Sequence, residues 1–161
     1  MTIFNARYED AQLVADIVSG SNKDVADKFG ITIGNNPKHP SFYNRDWVVS
    51  DFKRGEKYFL RKYEGAYVGC VAFEQPSKGV GYLNRLSVLP KYRRKGFGTS
   101  LVNAVFDYGA SKGVCEISIG IIAHHVNLKN WYKDLGFVEN GEKQFTHLPF
   151  DVLFMKYVVS S

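Results

Sequence analysis

Apolar side chains in the N-terminal third of the chain recur at helical intervals. Between residues 8 and 20 they return every three or four positions, which is typical of a helix with one buried face. Glycine, proline and asparagine crowd residues 31–46, so this stretch is predicted to be a loop. The other elements predicted here are a short strand at residues 2–7 and helices at residues 8–20, 22–30 and 47–55.

From residue 57 onward the pattern switches to the alternation of β-strands. Two strands, KYFLRKY and AYVGCVAFEQ, are separated by Glu64 and Gly65, which predicts a hairpin. Helices followed by an antiparallel meander and then β-α-β-α-β predict a mixed α/β domain. No repeat or low-complexity linker interrupts this order, so residues 1–161 are predicted to form a single domain. The remaining predicted elements are strands at residues 79–90, 115–122 and 147–159 and helices at residues 97–112 and 125–136.

Composition narrows the class of protein but leaves its function open. With 45% hydrophobic and 23% charged residues, the 161-residue chain is typical of a soluble globular protein. No apolar run approaches the roughly 18 residues needed to cross a membrane, and the N-terminus lacks the order of a signal peptide, so a cytoplasmic location is expected. Cys70 and Cys115 lie in strand-like runs and are predicted to be reduced core thiols. The net charge of +5 suits DNA, RNA, a membrane surface or an anionic cofactor.

Candidate chemistry concentrates in PKYRRKGFG, which joins a predicted strand to an amphipathic helix. Amide N–H groups at a helix start lack partners inside the helix, and the helix dipole adds positive potential there. Gly96 and Gly98 remove side chains that would keep a phosphate away from those amides, and Arg93, Arg94 and Lys95 add positive charge. A pyrophosphate suits this arrangement, but a solvated basic turn or a nucleic-acid patch stays open. Neither the dinucleotide fingerprint nor the phosphate-loop pattern fits the sequence.

Two motifs in the second half of the chain resemble those of the GNAT superfamily of acetyl-CoA-dependent N-acyltransferases. The stretch RLSVLPKYRRKGFGTSLV is similar to the acetyl-CoA signature, with Arg93, Gly96 and Gly98 at its defining positions. The stretch NWYKDLGFVE resembles the second signature, an aromatic-tyrosine pair followed by Gly-Phe. The resemblance covers residues 57–158 as an acetyl-CoA-binding core, while residues 1–56 would supply an N-terminal strand, helices and an acceptor-side loop. It implies a three-layer fold with a central, mostly antiparallel mixed sheet flanked by helices.

The resemblance also implies where acetyl-CoA would bind as co-substrate. Amide N–H groups from Arg94 to Thr99 would take the pyrophosphate, and Arg93 with its neighbours would take the outer phosphates. Strand residues Leu86–Val88 would pair their backbone with the pantetheine arm, in a gap where this strand splays from the next. His125 takes the place where the family often has a pantetheine-contacting asparagine, so a cofactor contact and a surface position are both open. The implied cofactor-binding residues are Leu86, Ser87, Val88, Arg93, Arg94, Lys95, Gly96, Phe97, Gly98, Thr99 and His125.

The catalytic residues follow less completely from the resemblance. Tyr132 matches the family tyrosine that protonates the departing CoA thiolate, and we expect it to act as general acid. Asn84 stands where many relatives carry a glutamate; an asparagine cannot accept a proton, but it can orient a water molecule. Glu74 is a second candidate for the base, and a water-mediated route needs no strong base, so the base stays unassigned. No residues show metal-ligand spacing, and metal catalysis is not expected.

The amine acceptor is the least determined part of the prediction. In this superfamily the N-terminal helices, their loop and the last strands form the acceptor site, which here means residues 35–47 and 144–154. Asp46 and Asp51 could attract a cationic amine, although solvated loop carboxylates are the simpler interpretation. The acceptor could be a small metabolite, an amino acid, a drug or a peptide terminus. Dimers are common in the family, and neither a membrane nor a nucleic acid is expected as a partner.

Two other classes of protein compete with the enzyme interpretation. One is a CoA-binding sensor without catalysis, which the asparagine at position 84 makes conceivable. The other is a nucleic-acid-binding protein that uses the basic residues 91–95, although the sequence contains no helix-turn-helix or RNA-binding motif.

Overall fold

Seven strands form one sheet in the structure, a computed structural model that describes residues 2–159. The strands are β1 (Ile3–Asn5), β2 (Lys57–Tyr63), β3 (Ala66–Ser77), β4 (Val80–Val88), β5 (Glu116–Ile122), β6 (Val138–Gln144) and β7 (Asp151–Val158). The helices are α1 (Ala11–Lys28), α2 (Arg45–Lys53), α3 (Phe97–Ser111) and α4 (Val126–Asp134), with short 3-10 turns at Tyr8–Asp10, Pro40–Phe42 and Pro90–Tyr92. The strand order is β1-β2-β3-β4-β5-β7-β6, and among these pairs β4 and β5 are parallel while the others are antiparallel.

Helices cover both faces of this sheet. On β2 the alternation of side chains sends Tyr58 and Leu60 into a core with α1 and α2, and sends Phe59 to the opposite face, against Tyr108 of α3. The core on the α3 face continues through β5 and β7 and includes Tyr132 of α4. The predicted mixed α/β, three-layer architecture is therefore confirmed.

The two N-terminal helices predicted from the sequence are wrong, because α1 is one continuous helix. Serine, glycine and asparagine near its middle favoured a break at residues 20–22. In the structure the Ser21 hydroxyl donates to the Ile17 carbonyl at 2.6 Å, and the Asn22 amide donates to the Val18 carbonyl at 2.7 Å. Each polar side chain is thus satisfied by the preceding turn of the same helix, so the helix continues.

Strand β6 is absent from the sequence-based prediction. All its residues are exposed, and it pairs with β7 along one edge. Its sequence, VENGEKQ, carries one apolar residue and a central glycine, so no alternation marks it as a strand. The neighbouring strand β7 begins at Asp151, four residues later than the predicted start at residue 147.

Of the two predicted core thiols, Cys70 is buried, but Cys115 is exposed. The prediction for Cys115 is wrong because this residue precedes β5, after the turn that ends α3. Over residues 2–159, none of the helices combines the length and the apolar character that crossing a membrane requires.

Candidate functional site

Strands β4 and β5 pair only at the start of β4, and this opens a gap in the sheet. The parallel register joins Val80–Tyr82 to Glu116–Ser118, and no β5 partner follows for the described residues 83–88. On its other edge β4 bulges, because Ala72 faces Asn84 while Cys70 faces Ser87. The second half of β4 thus keeps an unpaired backbone edge, as the family resemblance leads us to expect.

The turn after β4, residues 93–99, presents a row of amide N–H groups, and we name it the glycine turn. Arg94 has a φ of 64° and Gly96, the residue before α3, a φ of 84°, both in the left-handed region. The first helical bond comes from the Ser100 N–H to the Gly96 carbonyl at 3.1 Å. In the described part of the chain, the amides of residues 94–99 have no protein acceptor, so they can receive an anion.

A cavity of about 450 Å³ lies between the glycine turn, the open edge of β4, α1 and the start of α4. Every residue expected to bind cofactor lines it, except Lys95. The opposite wall was not predicted, because it comes from the second half of α1. The residues that form this wall are Ser21, Asn22, Asp24, Val25 and Lys28. Polar residues in the second half of α1 were the available signal, but only the packing of α1 on β4 brings them to the cavity.

Arg93 connects α1 to the glycine turn through hydrogen bonds and an ion pair. Its Nε donates to the Val88 carbonyl at 3.1 Å, and its Nη2 donates to the Ser21 carbonyl at 2.5 Å. Its Nη1 forms an ion pair with Asp24 at 2.5 Å, and the hydrogen bond from Arg93 lowers the pKa of that carboxyl. Because these partners occupy its guanidinium, Arg93 has a structural role here and holds α1 against the glycine turn. The exposed Arg94 carries positive charge at the cavity.

His125 directly precedes α4 and lines the cavity. Its Nδ1 accepts a hydrogen bond from the Leu128 N–H at 3.4 Å, which caps the helix. Its ring lies 5.5 Å from that of Phe29, at the end of α1. Burial, and then the charge of Lys28, lower the pKa of His125, which favours the neutral ring that this cap requires.

Tyr132 lies beside the cavity rather than in its lining. Its side chain is 4% exposed, and its ring packs against Trp131 at 5.0 Å and Phe137 at 5.2 Å. Burial raises the pKa of the Tyr132 phenol. Trp131 does line the cavity, and a Cβ atom at Gly98 would lie 3.2 Å from its ring, so this glycine allows α3 to start close to α4.

Asn84 and Glu74 meet each other outside the cavity lining. The Asn84 amide donates to Glu56 at 3.1 Å and to Glu74 at 3.3 Å. Glu74 borders a second cavity of about 570 Å³ together with Lys57 and Lys112. The structure thus brings the two candidates for the base together, along with Glu56, which sequence reasoning missed.

Asp51 does not stand in a solvated loop. It lies on α2 and is 2% exposed, with its Oδ2 accepting from the Tyr43 hydroxyl at 2.6 Å and from the Tyr58 hydroxyl at 2.7 Å. Burial alone would raise its pKa, but the charge of Arg85 and these hydrogen bonds outweigh burial and lower it. Both interpretations of Asp51, a solvated loop carboxylate and a group that attracts an incoming amine, are wrong, because the carboxylate is enclosed on α2 and already paired. The described residues contain no group of three or more His, Cys, Asp or Glu side chains that could hold a metal ion.

Comparison with known proteins agrees with this geometry. A model of the acetyltransferase (GNAT) family matches residues 24–137. An uncharacterized N-acetyltransferase from Chlorobaculum tepidum is 24% identical over 141 residues, which make up 88% of this chain and 77% of that protein.

Solved structures share the fold at low sequence identity. The ribosomal-protein-S18-alanine N-acetyltransferase from Escherichia coli has a TM-score of 0.79 at 18% identity, with 99% of this chain and 94% of that chain covered. The yncA protein from Salmonella typhimurium, solved with its cofactor acetyl-CoA, has a TM-score of 0.71 at 17% identity, with 99% and 94% covered. Because the family model spans well over half of the sequence, this chain belongs to the GNAT acetyltransferase family and is an enzyme of the acyltransferase type.

Proposed function

We propose that this enzyme moves the acetyl group of acetyl-CoA directly to a primary amine, with the cofactor in the cavity between α1 and the glycine turn. The observation that carries this proposal is the run of amides at residues 94–99, which have no protein acceptors and lie beside a cavity of about 450 Å³. Such a row of donors at a helix start suits a pyrophosphate. The acetyl-CoA complex of the Salmonella typhimurium protein, which has the same fold, supports this choice of cofactor.

The unpaired edge of β4 suits the pantetheine arm. Leu86, Ser87 and Val88 line the cavity and have no β5 partner, so their backbone groups can pair with the amides of the arm. Bound acetyl-CoA supplies an activated thioester. A backbone N–H of this edge can donate to the thioester oxygen and stabilise the negative charge that develops there.

Tyr132 would supply the proton that the reaction needs at sulfur. As the amine nitrogen bonds to the carbonyl carbon and the C–S bond breaks, the phenol donates its proton to the departing thiolate. The raised pKa of the buried phenol keeps that proton available at neutral pH. Asn84 would orient water that takes the proton lost by the amine, with Glu74 3.3 Å away to receive it.

The acceptor is proposed only as a class, a primary amine on a peptide or a small molecule. The Escherichia coli structure is of an enzyme named for an alanine of a ribosomal protein, which supports a peptide amine as one choice. Release of free CoA thiol can be followed with a panel of peptides and small amines. Amine-dependent release would identify the acceptor class.

Calorimetric titration of acetyl-CoA into the wild type and a Gly96→Glu variant tests the binding site. A glutamate at this position adds a negative charge beside the free amides, and we expect micromolar binding in the wild type to be lost. Gly113→Glu is a matched control, because Gly113 also has a positive φ and open space around it but follows the end of α3, whereas Gly96 precedes its start. Equal binding by wild type and Gly96→Glu, or no binding by either, would contradict the proposed site.

A further inference from the structure

Arg85 holds an unusual backbone conformation inside β4. Its φ is 51°, in the left-handed region, which costs a residue other than glycine roughly 1–2 kcal/mol. It occupies the bulge, since β4 advances from Asn84 to Ser87 while β3 moves only from Ala72 to Cys70. A conformation of this kind persists only where surrounding contacts hold it.

The Arg85 side chain provides those contacts. Its Nε donates to the Tyr58 hydroxyl at 2.7 Å, and its Nη2 forms an ion pair with Glu56. Nη2 also lies 3.5 Å from the Asp51 carboxylate, and the side chain is 16% exposed. Charge-assisted hydrogen bonds in a partly dry site are stronger than those between neutral groups.

The partners of Arg85 belong to α2, to β2 and to the connection between them, and β2 is separated from β4 by β3. Tyr58 lies on β2, Asp51 lies on α2, and Glu56 lies in the connection between them. The guanidinium therefore reaches over β3, where the side chains of Cys70 and Ala72 are small and fully buried. The conformation of the β4 bulge therefore depends on contacts with α2, β2 and the connection between them.

The bulge borders the segment that faces the cavity. Leu86 follows Arg85 directly, and together with Ser87 and Val88 it forms the open backbone edge. Without the bulge, residues 86–88 would be shifted by one position in the strand register. Their N–H and carbonyl groups would then point in the opposite directions.

We propose that Arg85 is a positioning residue for acetyl transfer, whose side chain locks the β4 bulge so that residues 86–88 present their backbone to the pantetheine arm. The inference rests on the proposed function, since it presumes that acetyl-CoA occupies the cavity. Arg85 itself does not line the cavity, so it acts through the strand.

Two probes separate this role from a general loss of structure. Acetyl-CoA contacts both the glycine turn and the β4 edge, whereas 3′-phospho-ADP lacks pantetheine and contacts only the turn. Arg85→Lys keeps the positive charge opposite the buried carboxylates but loses the planar guanidinium, which donates several hydrogen bonds at once. For this variant we expect the Kd for acetyl-CoA to rise about tenfold, a change equivalent to the loss of one hydrogen bond to a charged group. The Kd for 3′-phospho-ADP should stay within twofold.

Arg54→Lys is the matched control. Arg54 contacts the same two carboxylates, Asp51 and Glu56, but lies outside β4. We expect both probes to bind Arg54→Lys as they bind the wild type. Equal weakening of both probes in Arg85→Lys, or identical behaviour of the two variants, would overturn the positioning role.

A milder pair of variants keeps the test decisive if Arg85→Lys does not fold. Tyr58→Phe removes the hydroxyl that accepts from Arg85, while Tyr43→Phe removes the other hydroxyl that donates to Asp51. Selective weakening of acetyl-CoA binding in Tyr58→Phe alone supports the role, and equal effects in both variants contradict it. If wild type binds neither probe, the proposed function fails. If wild type binds both probes and neither Arg85→Lys nor Tyr58→Phe weakens acetyl-CoA binding selectively, only this inference fails.

Discussion

Tyr132 shows how burial changes the pKa of a single side chain. The side chain is enclosed by Trp131, Phe137 and the core of the α3 face. Burial disfavours the phenolate and therefore raises the pKa of the phenol. The phenol is therefore protonated across the physiological pH range, as a group that donates a proton must be.

We predict that Tyr132→Phe lowers kcat by about 10²-fold or more, the usual contribution of a general acid, while acetyl-CoA affinity stays within twofold. The acid form is lost only when pH rises through the raised pKa, so the wild type should keep this contribution at least to pH 9. Steady-state rates and calorimetric titration provide the two measurements. Tyr157→Phe, in the same aromatic cluster, is the control. A Tyr132→Phe enzyme with wild-type kcat would assign proton donation to another group.

At the scale of elements, α4 depends on the residue that precedes it, because that residue caps the helix. His125 caps the helix through Nδ1, which can accept the Leu128 N–H only when that nitrogen carries no proton. The ring is held between the end of α1 and the cavity, where burial and Lys28 lower its pKa. The stability of α4 is therefore linked to pH.

We predict that His125→Asn makes stability less dependent on pH between 7 and 5. In the wild type the unfolded chain takes up a proton near pH 6.5 while the folded state resists it, so stability is lost as pH falls. Asparagine caps the helix without titrating, whereas His125→Ala should lose about 0.5–2 kcal/mol at pH 7. His39, which is buried with a lowered pKa, remains in all three proteins and cancels in the comparison. Urea unfolding at both pH values checks this, and parallel losses in wild type and His125→Asn would contradict it.

Over the whole molecule, the cavity joins parts that are distant in sequence. Its walls come from α1, from the end of β4 and from the starts of α3 and α4. Arg93 and Asp24 tie α1 to the glycine turn by a partly exposed ion pair, and such pairs stabilise weakly. A ligand that contacts all these walls would hold them together more strongly and so stabilise the folded protein.

We predict that acetyl-CoA at about 100 times its Kd stabilises the folded protein by about 2.7 kcal/mol. For a chain of this size, that free energy corresponds to a rise in Tm of about 5–10 °C. Thermal unfolding with and without ligand measures it, and the Gly96→Glu variant should show no rise. An unchanged Tm in the wild type at a saturating concentration would count against binding across the cavity.

Local features of the sequence determined most of the elements and the family. The period of apolar residues predicted the central strands, α3 and α4, and the order Arg93, Gly96, Gly98 marked the turn, because these signals depend on backbone geometry within a few residues. Only the tertiary structure decided that α1 runs unbroken and walls the cavity, that Arg93 braces α1, and that Tyr132 is buried beside the site. It also decided that Arg85, Asp51 and Glu56 form one enclosed network and that β6 joins an edge of the sheet. The reason is physical: a side chain's partners and solvation depend on groups brought together by strand order, which no local pattern of residues encodes.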